Sequence, residues 1–122
     1  MNAPTETRIA NSTRGTCLAT RARYARNGAE RRRGLLGRES IEPGEALILP
    51  RCRQVHMFGM KFSIDVLFVD KRGRAVRCVR DLAPGRLSRW VRRARTTIEL
   101  PVGTLDVTRT EPGDTILIEP LS

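Results

Sequence analysis

Val55-His56-Met57-Phe58-Gly59-Met60-Lys61-Phe62-Ser63-Ile64-Asp65-Val66-Leu67-Phe68-Val69-Asp70 is the core signature of the chain. Its second half, Ile64–Val69, is a nearly continuous apolar run rich in branched and aromatic residues, the pattern of a strand buried on both faces. Asp70-Lys71-Arg72-Gly73 then reads as a hairpin turn into a second strand over Ala75–Val79. Outward from this hairpin, Gly15–Arg21, Ala46–Pro50, Thr96–Leu100 and Thr115–Pro120 have strand character, and Arg8–Ala10 adds an edge strand. Gly103–Thr108 reads as a single helical turn. Arg26–Leu36 is rich in Ala, Glu, Arg and Leu, with Asn27 as a cap and Gly37 past its end, and is the expected helix.

Two turns share one chemistry. Glu42-Pro43-Gly44-Glu45 and Glu111-Pro112-Gly113-Asp114 place Pro second and Gly third, which suits a type II turn because Pro fixes φ and Gly accepts φ > 0. Each launches a strand. The expected fold is mainly β, a single-domain sandwich or partly closed barrel with one short helix packed on it. Residues 1–13 are expected to be a flexible N-terminal segment and 14–120 the domain.

Length and composition agree with one domain. A chain of 122 residues buries roughly 65% of its unfolded surface, enough for one core. Hydrophobic residues at 39% and charged residues at 30% are ordinary globular usage. No stretch approaches the ~20 apolar residues of a membrane span, and Met1–Thr13 has no apolar segment of a secretory signal. A cytoplasmic location is expected. Cys17, Cys52 and Cys78 are odd in number and lack CxxC pairing, so they read as reduced, mostly buried thiols rather than a disulfide framework or a zinc site.

The net charge of +10 comes from 21 Arg and 2 Lys. Such a field attracts nucleic acid, anionic lipid or acidic protein. A GC-rich genome also produces an Arg bias, and the sequence shows neither a helix-turn-helix nor the aromatic platforms of single-strand binders. Trp90, the sole tryptophan, stands among Arg86, Arg89, Arg92 and Arg93. It is expected to stack with an Arg or lid the core, with a ligand contact as the alternative.

Three residue sets raise the question of chemistry. Cys52, His56 and Met60 are soft ligands of the kind that select Cu(I). In a straight strand each step of four residues covers ~13 Å, which is too long for shared coordination, so no metal site and no cofactor are expected. His56 is the single histidine and would be the general base of an enzyme using imidazole; the plainer expectation is a histidine satisfied by a backbone or carboxylate partner. Met57, Phe58 and Met60 read as core filling. Asp65 inside an apolar strand needs a partner. Its candidates are His56, Lys61 and an Arg of the helix, Arg33 first.

The Arg33-Gly34-Leu35-Leu36-Gly37-Arg38 motif, the Gly44–Pro50 strand entry, the Val55–Asp70 signature, Ile98–Gly103 and Glu111–Asp114 follow one another in a known order. In them the chain resembles the bacterial and archaeal family called domain of unknown function 192, over about Arg33 to Glu119. The resemblance implies a compact, mainly β fold and no established activity. Many relatives carry Trp-Met-Lys-Asn-Thr where this chain has His56 to Lys61, so the chain is similar to the His-bearing branch, from which Met57 and Ser63 depart where Thr and Pro are usual. The resemblance makes Arg33, His56, Met60, Asp65 and Glu99 the candidates for a shared site. The leading expectation is a non-catalytic binding module for a small ligand or protein partner, shaped by the central strand, the helix start and the Ala83–Trp90 loop. The alternatives are nucleic-acid or anionic-surface binding, or an enzyme using His56 and Asp65 with Arg33 as an anion clamp.

Overall fold

In the computed structural model, which describes residues 7–25 and 34–120, Ile64–Val69 is a strand buried along its whole length. It is β4 of seven: β1 Thr7–Asn11, β2 Thr16–Tyr24, β3 Glu45–Pro50, β4, β5 Ala75–Leu82, β6 Thr96–Pro101 and β7 Ile116–Pro120, with one short helix, α1 Thr104–Val107. The strands form one sheet in the order β5-β4-β6-β3-β2-β1-β7. Every pairing is antiparallel except that of β2 with β3. The sheet curls until its two edges touch at one end, where Arg74 bridges Thr115 and the Ala75 N–H donates to the Asp114 carbonyl at 2.9 Å. Of the two architectures expected, the partly closed barrel is the one that forms.

Alternation along each strand divides the apolar residues between two faces. Ile48, Ile98 and Leu67 lie in one cross-strand row inside the curl. Leu105 of α1 is fully buried against them and plugs one end. Leu47 and Val66 point outward, where Cys52, Val55, Met57 and Ala94 of the long loops cover them in a second cluster. With both faces of β4 covered, its run has no polar alternation.

Both Pro-Gly turns form as expected. The Glu45 N–H donates to the Glu42 carbonyl at 3.0 Å and the Asp114 N–H to the Glu111 carbonyl at 3.1 Å, with φ of 90° at Gly44 and 98° at Gly113. They share a further device. The carboxylate of the fourth residue accepts the N–H of the first, Glu45 from Glu42 at 2.8 Å and Asp114 from Glu111 at 2.9 Å. Each carboxylate also holds an arginine, Arg38 at 2.8 Å and Arg14 at 3.0 Å.

The structure corrects several expectations. Residues 7–11, read as part of a flexible segment or as an edge strand, are β1, paired on both sides with β2 and β7. The expected Arg26–Leu36 helix lies outside the described residues except for its end, a turn at 34–37. Cys17 is exposed, not buried, although all three cysteines are free thiols. Phe58 is 56% exposed, whereas Met57 beside it is core.

Candidate functional site

Of the residues the sequence singles out, Asp65 has the clearest role. It sits on the inner face opposite Leu100, 1% exposed. Its Oδ1 accepts the Asp81 N–H at 3.0 Å, and its Oδ2 accepts the N–H groups of Gly103 and Leu105 at 3.1 and 3.0 Å. Among the described residues neither His56 nor Lys61, two of the expected side-chain partners, holds it. Lys61 pairs with Glu39 at 3.2 Å instead, and Arg33 lies outside the described residues. Three backbone amides satisfy the carboxylate and fasten the start of α1 to β4, a structural task.

His56 is exposed, in a single bridge with Leu87, and its ring stacks on Phe58 with centroids 4.9 Å apart. The sequence reading expected a histidine satisfied by a backbone or carboxylate partner; the neighbour of its ring in the fold is instead Phe58. His56 belongs to the loop layer over the outer face, so the sheet stands between it and Asp65, and the two make no acid–base pair. Cys52 turns into the outer cluster and donates its thiol to the Gln54 carbonyl at 3.2 Å. Met60 packs half-buried against the same cluster. Among the described residues no group of three or more His, Cys, Asp or Glu is placed to hold a metal ion.

Glu99 is central on β6, between Leu47 and Val66 in one row of the outer face. It is 8% exposed, and burial alone pushes its carboxyl up to about 7.

The strongest concentration of chemistry lies at the β4–β5 turn. There the Asp70 Oδ1 accepts the N–H groups of Arg72 and Arg74, both at 2.9 Å, and the Gly73 N–H closes onto the Asp70 carbonyl. Burial opposes ionisation of Asp70, but these two amides, with Arg74 and Arg93 nearby, outweigh it and hold the carboxyl below the ordinary range. Facing the turn is the segment before β6. Its Arg95 N–H donates to the Val69 carbonyl at 2.7 Å, and the Arg53 Nε donates to the Arg92 carbonyl at 3.1 Å.

Between the two walls is a cleft of about 420 Å³. Lys71, Arg72 and Arg74 line one side, Arg92, Arg93 and Arg95 the other, and Arg53 completes it; Asp70 is the one acid. A second depression of about 590 Å³ shares Arg92 and Arg93 and adds Arg77, Arg89 and Trp90. Trp90 is 64% exposed, so it does not lid the core. The ion pairs among the described residues all lie elsewhere, on Arg8, Arg14, Arg38, Lys61 and Arg80. Among the described residues the carboxylate beside the cleft cations is thus Asp70 alone, near Arg74 and Arg93, in a concave surface that concentrates their field. Of this site the sequence reading found Trp90 and its neighbouring arginines. It missed Arg53, Lys71, Arg72, Arg74 and Arg95, which only the fold brings alongside.

A curled seven-strand half-barrel plugged by one helical turn, with a basic cleft at one hairpin, defines a small all-β class without an assembled catalytic centre among its described residues. The chain belongs to the domain of unknown function 192 family, described as uncharacterized ACR, whose model matches residues 9–118. It is 33% identical over 112 residues to a UPF0127 protein of Thermococcus sibiricus, covering 88% of this chain and 72% of that one. A crystal structure of a protein of unknown function from Novosphingobium aromaticivorans superposes with a TM-score of 0.79 at 18% identity, over 95% of this chain and 93% of that one. A candidate transcription regulator from Sinorhizobium meliloti gives 0.73 at 22%, over 95% and 94%. These two likenesses concern the fold.

Proposed function

We propose that the protein is a non-catalytic binding module whose ligand is anionic and sits in the basic cleft. The observation that carries this reading is the ratio of seven cationic side chains to one carboxylate around about 420 Å³, with that carboxylate already engaged by two backbone amides. Guanidinium groups present forked donors that match the oxygens of phosphate or carboxylate, so an array of them favours phosphate-bearing ligands. The leading expectation of a small ligand or protein partner is thereby joined to the basic-surface alternative, with the ligand taken to be anionic. An enzyme built on His56 and Asp65 has no support, since the sheet separates them. Among the described residues no helix is long and apolar enough to cross a membrane. A cytoplasmic site of action suits the three free thiols.

The test is calorimetric titration of the full chain with a short inorganic polyphosphate. The variant Arg72→Glu/Arg93→Glu is expected to lose at least about tenfold in affinity, since truncating charge-assisted contacts costs 1.5–3 kcal/mol each. Arg23→Glu/Arg86→Glu changes the net charge equally at exposed positions outside the cleft. If both variants lose affinity alike, the protein is a diffuse cation and the cleft is not a site.

A further inference from the structure

The geometry points to single-stranded nucleic acid as the ligand of this cleft, with phosphates along the arginines and a base stacked on Trp90. This inference rests on the anion-binding reading and sharpens it. An array of cations alone does not distinguish nucleic acid from other polyanions; the aromatic ring at its rim does.

Three observations converge. First, the two depressions adjoin at Arg92 and Arg93, so cations line the surface from the β4–β5 turn to the wall that carries the indole. A groove that follows a phosphate backbone and ends on an aromatic ring is the arrangement of single-strand binders, in which cations track phosphates and rings stack bases. Second, Trp90 is 64% exposed in a chain with a single tryptophan, and its ring is not used by the core. An indole left in water among cations offers a flat surface to a base that has left its own stack. Third, the single helix among the described residues has four residues and a fully buried Leu105. That one turn is too short and too buried to lie in the major groove of a duplex.

The experiment uses the full chain and follows Trp90 emission and the anisotropy of labelled oligonucleotides. Oligo-dT and oligo-U strands of about 12 nucleotides, within the span one small β domain occupies, are compared with a duplex of equal length and with inorganic polyphosphate. Single strands are expected to quench Trp90 and to bind about tenfold more tightly than the duplex. Trp90→Ala is expected to lower single-strand affinity about tenfold and to leave polyphosphate affinity unchanged, a pattern that loss of fold would not produce. Polyphosphate binding without quenching by either strand overturns this inference and leaves the anion-binding reading standing. Equal losses for strand and polyphosphate in Trp90→Ala overturn it as well, because the ring would then only support the arginines. Binding of none of these probes overturns both readings.

Discussion

Asp65 and Glu99 are both carboxylates inside the sheet, and they face opposite sides of it. Asp65 turns inward to three amide donors, which fasten the start of α1 to β4. Glu99 turns outward between Leu47 and Val66, where desolvation favours the neutral acid, and its carboxyl rises from the ordinary 4.5 to about 7. The folded state therefore binds more protons at Glu99 than the unfolded chain does between these two pH values. Its contribution to stability is fully present below pH 4.5 and is lost as pH rises to about 7. A shift of this size corresponds to about 3 kcal/mol. Urea unfolding of Glu99→Gln across pH 4–8 should show wild type losing about that much stability relative to the variant over this window, and a constant difference above it. A difference independent of pH would mean that Glu99 ionises freely in the fold. Asp70, Asp114 and Glu45, all held below their ordinary range, contribute stability that is present above that range and lost in acid, equally in both proteins, and cancel.

At the scale of elements, the two Pro-Gly turns show how one local solution is placed in two environments. Both glycines have φ in the left-handed region, where a side chain costs about 1–2 kcal/mol. A Cβ at Gly113 would meet nothing within 4 Å, whereas one at Gly44 would lie 3.2 Å from the Thr20 hydroxyl and 3.4 Å from the Arg21 guanidinium. Gly113→Ala is therefore expected to cost only the backbone strain, and Gly44→Ala to cost more, with loss of the adjacent β2–β3 contact. Chemical denaturation of the two variants ranks them. An equal cost would place the whole penalty in φ and none in the neighbours.

Across the whole molecule the charges are segregated. Arg14, Arg38 and Arg80 sit opposite acids, while the cleft gathers cations that repel one another. Neutralising part of the array should thus raise stability as it lowers binding, the usual exchange at a functional site. Arg92→Gln/Arg93→Gln is expected to melt at a higher temperature than wild type in dilute buffer. The gain should shrink in 1 M salt, where the Debye length is about 3 Å. A variant that melts lower, or a gain unchanged by salt, would show that these arginines stabilise the fold by packing.

The sequence by itself determined β4, the hairpin after it, both type II turns and the single turn of α1. Their causes are local: an apolar run with branched side chains, the fixed φ of Pro43 and Pro112, and the freedom of Gly44 and Gly113 at positive φ. Placement of β1 in the sheet interior and the fate of Met57 and Phe58 depended on which loops cover which face. The partners of Asp65 were illegible because backbone amides at 81, 103 and 105 carry no side-chain signature. The cleft was illegible as a unit because Arg53, the 71–74 turn and the 92–95 segment are joined only by strand register and long-range hydrogen bonds. Whether Trp90 is buried was likewise a tertiary decision: Val55, Met57 and Ala94 are buried in the outer cluster without it, and the indole remains exposed.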